Sequence, residues 1–293
     1  MSAEFRSPRR TPTRKSHLER LAGEYGRAHG LTVERTRRWL SIVSFAGALE
    51  AIRADDGPRF LIKGGASMEL RLGLGARTTR DVDVVFRGDP EEMLDALEEA
   101  FENPYGGFSF RRKGMVEDIR NTGSRRLAVQ VEFAGANWQT LQLEVARLEV
   151  DEMEMVPVAI GIADFRLNAP SRVACLSLRY QVAQKLHAVT ERPPDRENLR
   201  FWDLIDLILL RELLAGDLGA VREACVQTFR VRDTHDWPPA LVVPDSWAVP
   251  YAATTEELDA VLPATVEAAA DGVRAFIVEI DTAAGEPGRC GSK

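Results

Sequence analysis

Cysteine is scarce in this chain, and long apolar runs are missing. Three cysteines, Cys175, Cys225 and Cys290, share no short spacing with one another or with the four histidines. That argues against a disulfide framework and against a zinc site, and fits a reducing cytosol. No stretch approaches the roughly 18 apolar residues that a membrane span requires, and the N-terminus has no apolar signal-peptide core. No internal repeat or long low-complexity tract is present. The expectation is a soluble cytoplasmic protein without a membrane partner. What the chain does have is apolar bulk. Of its 293 residues 45% are hydrophobic, enough to fill one large domain or two modest ones without covalent staples.

Charge is spread unevenly. The net charge is -7, yet residues 1–40 hold ten Lys or Arg against four acids. A basic arm on an acidic body either steers a polyanion such as RNA or is simply a solvated tail.

Residues 1–15, with Pro8 and Pro12 among many charges, read as a disordered basic tail. A charged helix follows over 15–29 and ends at Gly30. Thr32 then looks like the N-cap of a helix carrying Trp39, Ile42, Phe45, Leu49 and Ile52 on one stripe. After the turn at Asp55-Asp56-Gly57-Pro58 come a short strand at 59–62, the pair Gly64-Gly65, a helix over 66–72 and a strand over 81–86. Asp89 and Pro90, with Glu92 behind them, suggest the start of a helix carrying Met93, Leu94, Leu97 and Phe101. Segments 107–112, 127–133 and 140–148 alternate nearly enough to pair antiparallel beside the first strands. From about Pro170 the composition turns helical, with helices expected over 177–190 and 199–214, an irregular stretch over 232–250 and a last helical region over 254–280. The fold class is therefore α+β. A small mixed sheet with helices on one side occupies residues 16–165, and a mostly helical C-terminal lobe occupies 166–293.

The sharpest chemical signal is Asp81-Val82-Asp83. Side chains two apart on a strand share a face, so both carboxylates would stand together while Val82 and Val84 turn to the core. A divalent cation is the usual relief for such a pair. Gly64 and Gly65, at a strand-to-helix junction, let backbone amides approach a phosphate, or mark a plain turn. A third carboxylate on a neighbouring strand commonly completes such a site. Glu144 is the candidate, with Glu132 in reserve, and an exposed strand acid is the bland reading of Glu144. Lys185 lies on an otherwise packed helix, where it could meet phosphate oxygens. Asp203 and Asp206, three apart on an apolar helix, need a cation, and Lys185 is the obvious one. A structural ion pair between two helices accounts for the same residues.

Taken together, these stretches resemble a known family. They are Gly64-Gly65 with Arg71; Thr79-Arg80-Asp81-Val82-Asp83, with Arg77 four residues before Asp81; Gln184-Lys185-Leu186-His187-Ala188; and Asp203-Leu204-Ile205-Asp206-Leu207. In order, and over roughly residues 60–210, they resemble the four motifs of AbiEii-type nucleotidyltransferase toxins, the MenT toxins among them, within the DNA polymerase β-like superfamily. Gln184 stands where the family commonly has Glu. The resemblance implies a nucleotidyltransferase core and a helical lobe with a cleft between them. It also implies transfer of nucleotides from an NTP to the 3′ acceptor end of tRNA, which blocks aminoacylation, and restraint by a cognate antitoxin protein. It makes Asp81, Asp83, Lys185 and Asp203 catalytic. Mg2+, or Mn2+, would sit on Asp81, Asp83 and Glu144. The nucleotide would lie at Gly64, Gly65, Arg71, Thr79, Lys185 and Asp206. Thr79 would be the regulatory phosphorylation candidate. A small-molecule or protein acceptor, or an idle module that binds RNA or antitoxin, are the alternatives on the residues alone.

Overall fold

In the computed structural model, which describes residues 5–73, 76–77, 79, 81–119, 123–158, 162–214, 216–256, 258 and 262–283, the Thr32 hydroxyl accepts the Arg35 amide at 3.1 Å and opens a helix as its position suggests. Arg80, Cys290 and the first four residues of the basic tail lie outside the described residues. By internal contact the chain divides into two units, Met1–Gly73 with Thr78–Leu176, and Leu74–Arg77 with Ser177–Lys293.

The first unit begins with α1 (Lys15–Ala28) and α2 (Val33–Glu50). A two-residue hairpin, β1 (Arg53–Ala54) with β2 (Gly57–Pro58), leads to β3 (Phe60–Lys63), α3 (Gly64–Leu72) and β4 (Asp81–Phe86). Then come α4 (Met93–Phe101), β5 (Phe108–Ile119), β6 (Ser124–Phe133), β7 (Ala136–Arg147), β8 (Met153–Pro157) and β9 (Arg172–Leu176). Seven strands form one mixed sheet in the order β5-β6-β7-β4-β3-β9-β8. β5, β6 and β7 are an antiparallel meander; β7 joins β4 in parallel, and β4 joins β3 antiparallel.

The sheet is mixed as expected, but larger. β8 and β9 carry no clear signal in the sequence because both are short, and β8 ends on Pro157 at the sheet edge, where a missing N–H is tolerated. Helix α4 starts at Met93, because Asp89 accepts the Glu91 amide at 2.9 Å in a preceding turn and Glu92 reaches Arg59 at 2.5 Å instead of capping.

Leu18, Leu21 and Tyr25 of α1, Phe45 and Leu49 of α2, Leu70 of α3 and Leu97 of α4 bury one face of the sheet together with Val82, Val84 and Phe86. Leu61, Val85 and Ala174 form a smaller apolar cluster on the opposite face. This division fixes which way the β4 carboxylates point: Val82 and Val84 belong to the main core, so Asp81 and Asp83 stand on the other face with Val85.

The second unit is helical: α5 (Leu178–Thr190), α6 (Phe201–Arg211), α7 (Leu218–Arg232), α8 (Ala248–Glu256) and α9 (Val266–Thr282). Helix α7, not foreseen, is capped by Asp217, whose carboxylate accepts the Ala220 amide at 3.0 Å. Leu186, Leu204, Leu207, Cys225, Trp247, Tyr251 and Ile280 are buried in its interior. Cys175 and Cys225 are free and buried, one in each unit, and burial pushes the Cys175 thiol up to about 11.

Candidate functional site

Strand β4 carries Asp81 and Asp83 on one face, each partly exposed beside buried Val82 and Val84. The sheet register sets the neighbours of Asp83. Lys63 faces it on β3, Glu144 faces it on β7, Arg126 faces Glu144 on β6, and Glu117 faces Arg126 on β5. Register partners share a face, so the result is a charged row across five strands in which the adjacent acids Asp83 and Glu144 are flanked by Lys63 and Arg126. Arg126 reaches the Glu144 carboxylate at 2.9 Å, and that bond with the nearby acids Glu144, Asp81 and Glu117 raises the Arg126 pKa against the opposing effect of burial. Glu144 therefore lies opposite Asp83 on the adjacent strand and is paired with a cation. Glu132 lies further along β6, bonded to Arg111 at 3.2 Å.

The two glycines have a packing reason as well as a chemical one. Gly64 has φ +60, and a Cβ there would lie 2.2 Å from the Asp83 Oδ2 atom. At Gly65 a Cβ would lie 2.6 Å from both Cβ and Oγ1 of Thr79. Only glycine accepts that conformation and lets the strand come so close. The Asp83 carboxylate thus lies against the first residue of α3, whose N-cap, Lys63, makes no side-chain capping bond. A negative group is thereby held close to the positive end of the helix.

Thr79 is 6% exposed, its N–H donates to Glu69 Oε1 at 2.7 Å and its hydroxyl donates to the Asp81 carbonyl at 3.1 Å. Glu69, buried on α3, is a positioning residue that the sequence reading missed; a lone Glu in an apolar helix turn was the available signal. Arg71 is held by Ser67 at 3.3 Å, by the Leu176 carbonyl at 3.2 Å and by Glu154. Its guanidinium would have to exchange these bonds to meet a phosphate, so it acts here as a strut between α3, β8 and β9.

In the helical unit, Lys185 of α5 donates to Asp203 Oδ1 at 2.8 Å and to Asp206 Oδ2 at 2.6 Å, both on α6. Arg77 closes the cluster with two bonds to Asp206, Nε to Oδ1 at 3.0 Å and an Nη to Oδ2 at 2.9 Å. Arg200 stands 3.6 Å from Asp203. Burial opposes the charge of Lys185, but Asp203 and Asp206 outweigh it and its pKa is raised. Burial likewise opposes the charge of Asp206, and Lys185 with Arg77 lowers its pKa. Asp206 is fully sealed, with both oxygens taken, so the place expected for it against the nucleotide is filled by its own partners. Asp203 is 6% exposed and Lys185 7%, and two of the three Lys185 ammonium donors are used by the carboxylates among the described residues.

Two residues along the same helix from Lys185, His187 is buried. Its pKa falls to about 3 through burial, then through the charges of Arg232 and His235. Its Nε2 lies 2.9 Å from the Thr234 hydroxyl, which lies 3.0 Å from His235 Nδ1.

Among the described residues no group of three or more His, Cys, Asp or Glu is arranged to hold a metal. A cavity of about 300 Å³ opens at the opposite end of β4, lined by Phe86, Met93, Ile119, Val145 and Leu148, and includes none of the residues above. No described helix is long and apolar enough to cross a membrane.

Residues 47–282 match the family model described as nucleotidyl transferase AbiEii toxin, type IV toxin-antitoxin system. No curated protein matches. Among solved structures the chain is similar to MenT4, a nucleotidyltransferase toxin from Mycobacterium tuberculosis H37Rv, with TM-score 0.59 and 18% identity over 91% of this chain and 90% of that one. A structure of the antibiotic-resistance factor ANT(2'')-Ia aligns with TM-score 0.35 and 19% identity over 66% of this chain and 93% of that one.

Proposed function

This chain belongs to the AbiEii family of nucleotidyltransferase toxins, and from that premise we propose that it moves a nucleotide from an NTP onto the 3′ acceptor end of tRNA, with a cognate antitoxin as its restraint. The cytoplasm supplies all three partners. The observation that carries the chemistry is the pair Asp81 and Asp83, side by side on β4 with the Asp83 carboxylate at the uncapped start of α3.

These residues fit a hard divalent cation such as Mg2+ or Mn2+, which protein binds through one or two carboxylates, the other ligands being water and substrate phosphates. Glu144, in register with Asp83 but bonded to Arg126, would join that shell only by releasing the arginine. When bound, the cation would neutralise phosphate oxygens and acidify the attacking hydroxyl. In the transfer, the acceptor 3′-oxygen bonds to the α-phosphorus as that phosphorus loses its bond to the β-phosphate. Pyrophosphate departs and the hydroxyl proton goes to water. Catalysis of this kind is mostly positioning and charge neutralisation. Gly64 and Gly65 offer backbone amides at the start of α3, and Lys185 offers its third N–H to a triphosphate oxygen. Asp203 and Asp206 hold Lys185 in place and charged, and Asp206 also holds Arg77.

Thr79 is the proposed point of control. A phosphate on its buried hydroxyl would add about two negative charges beside Asp81 and Glu69 and would force the segment out of its present packing. Thr79→Glu is expected to lower transfer. The whole reading is tested by incubating the protein with Mg2+, total tRNA and each of the four labelled triphosphates in turn. Label at the tRNA 3′ end is expected with at least one; none with any of the four would overturn a tRNA-directed activity.

A further inference from the structure

The basic N-terminal segment is an anchored strap. Phe5 sits against Tyr25 and Phe165, with ring centroids 5.0 and 5.4 Å apart. The Pro8 carbonyl accepts a bond from Arg166 Nε at 2.6 Å, and Pro12 is buried. Between these anchors and just beyond them Arg6, Arg9, Arg10 and Arg14 are exposed, and none has an ion-pair partner among the described residues. Elsewhere in the same unit arginine is usually neutralised: Arg20, Arg37, Arg53, Arg59, Arg71 and Arg87 each face a carboxylate. Residues 5–14 contain no acid at all, in a chain whose net charge is -7.

We infer that this strap is a phosphate-backbone contact for a structured RNA, pre-ordered by its aromatic and proline anchors. The inference takes its choice of RNA from the tRNA-directed reading above. From Arg6 to Arg14 the strap reaches at most ~28 Å, enough to follow several successive phosphates. Arginine contacts of this kind supply affinity that is independent of sequence and strongly salt-dependent. An anionic membrane is the weaker match, because surface-binding segments present apolar side chains outward, whereas Phe5 and Pro12 turn inward here.

The test is binding of the full chain to total tRNA by fluorescence anisotropy across a salt series, a measurement that needs no catalysis and so separates this inference from the transfer activity. Replacing Arg6, Arg9, Arg10 and Arg14 together by Ala is expected to weaken binding at least about tenfold near 0.1 M salt. The slope of log K against log salt should flatten by about 3, at 0.7–0.9 per arginine removed. The melting temperature should hold, since these exposed side chains make no hydrogen bond or ion pair among the described residues. Phe5→Ala keeps every charge but releases the strap, and should weaken binding several-fold with the slope nearly intact. An unchanged Kd and slope in the quadruple variant would overturn the inference, as would wild-type binding to phosphatidylserine vesicles with none to tRNA. An unchanged Kd in Phe5→Ala would overturn the pre-ordering.

Discussion

Two groups of charge in this protein are built on opposite principles. The β4 face sets Asp81 and Asp83 in partial contact with water, inside a row that runs Lys63, Asp83, Glu144, Arg126, Glu117 across the sheet. The α5–α6 cluster seals Asp206 completely and meets it with two cations. Partly solvated carboxylates can trade water for a cation at little cost. A buried carboxylate is tolerable only while its partners stay, and removing one partner leaves an uncompensated charge. The first group is therefore suited to binding and the second to holding Lys185 in one place. Asp203 is intermediate: it serves Lys185 but also faces the exposed Arg200.

That contrast breaks most visibly in activity. Asp81→Ala is expected to cut nucleotide transfer by about 10³-fold, by analogy with the loss of a preorganised electrostatic group, while the melting temperature stays level or rises as a like charge leaves the face. Thermal melts and end-labelling on the same preparation decide it, and a collapsed fold would assign Asp81 to structure instead. The reverse pattern belongs to the sealed cluster. Asp206→Ala removes two bonds of Arg77 and one of the two Lys185 bonds at a fully buried position and should cost about 3–5 kcal/mol of stability, read by urea denaturation. Asp203→Ala should cost clearly less, because Lys185 keeps Asp206. Equal losses from the two variants would contradict the division of roles.

Much of this is legible in the sequence, and the reason is local periodicity. Two residues per repeat put Asp81 and Asp83 on one face, and a three-residue step put Asp203 and Asp206 on one face of α6, opposite a helix offering Lys185. What escaped the sequence is long-range or contrary to local preference. Nothing near Arg77 announces that it pairs with Asp206, 129 residues away. Nothing around Arg126 says that the register will bring it to Glu144, since that depends on how far the β6–β7 meander slides. Phe5 lies among charges and prolines that locally favour disorder, and only Tyr25 and Phe165 give it a place. The glycine pair was noticed for a phosphate, yet its steric duty toward Asp83 and Thr79 could be seen only with the strand in position.

A pH series sharpens the comparison within the helical unit. Burial lowers the pKa of His187 from 6.5 to about 3, with Arg232 and His235 adding to the shift. A base whose folded pKa is depressed binds fewer protons folded than unfolded over that interval, so stability rises with pH there. The contribution is complete above about pH 6.5 and is lost as pH falls toward 3. His187→Gln, which keeps a polar group facing Thr234, should flatten the acid limb of the urea midpoint against pH, and an unchanged limb would show that His187 is not its source.

The smallest effect is expected at Glu144, and it is the most discriminating for the β4 face. Its bond to Arg126 lies in a partly exposed row, where a single ion pair contributes about 0–1 kcal/mol, so Glu144→Gln should barely move the melting temperature. Its consequence for transfer depends on whether Glu144 ever leaves Arg126. If Asp81 and Asp83 hold the cation alone, Glu144→Gln should change activity by no more than about twofold and leave the metal concentration for half-maximal rate where it was. If the carboxylate swings from Arg126 to the metal, that concentration rises instead. Arg126→Ala, by freeing Glu144 from its partner, should then lower it, so the two variants moving in opposite directions would identify Glu144 as a third ligand, held in reserve by its neighbour.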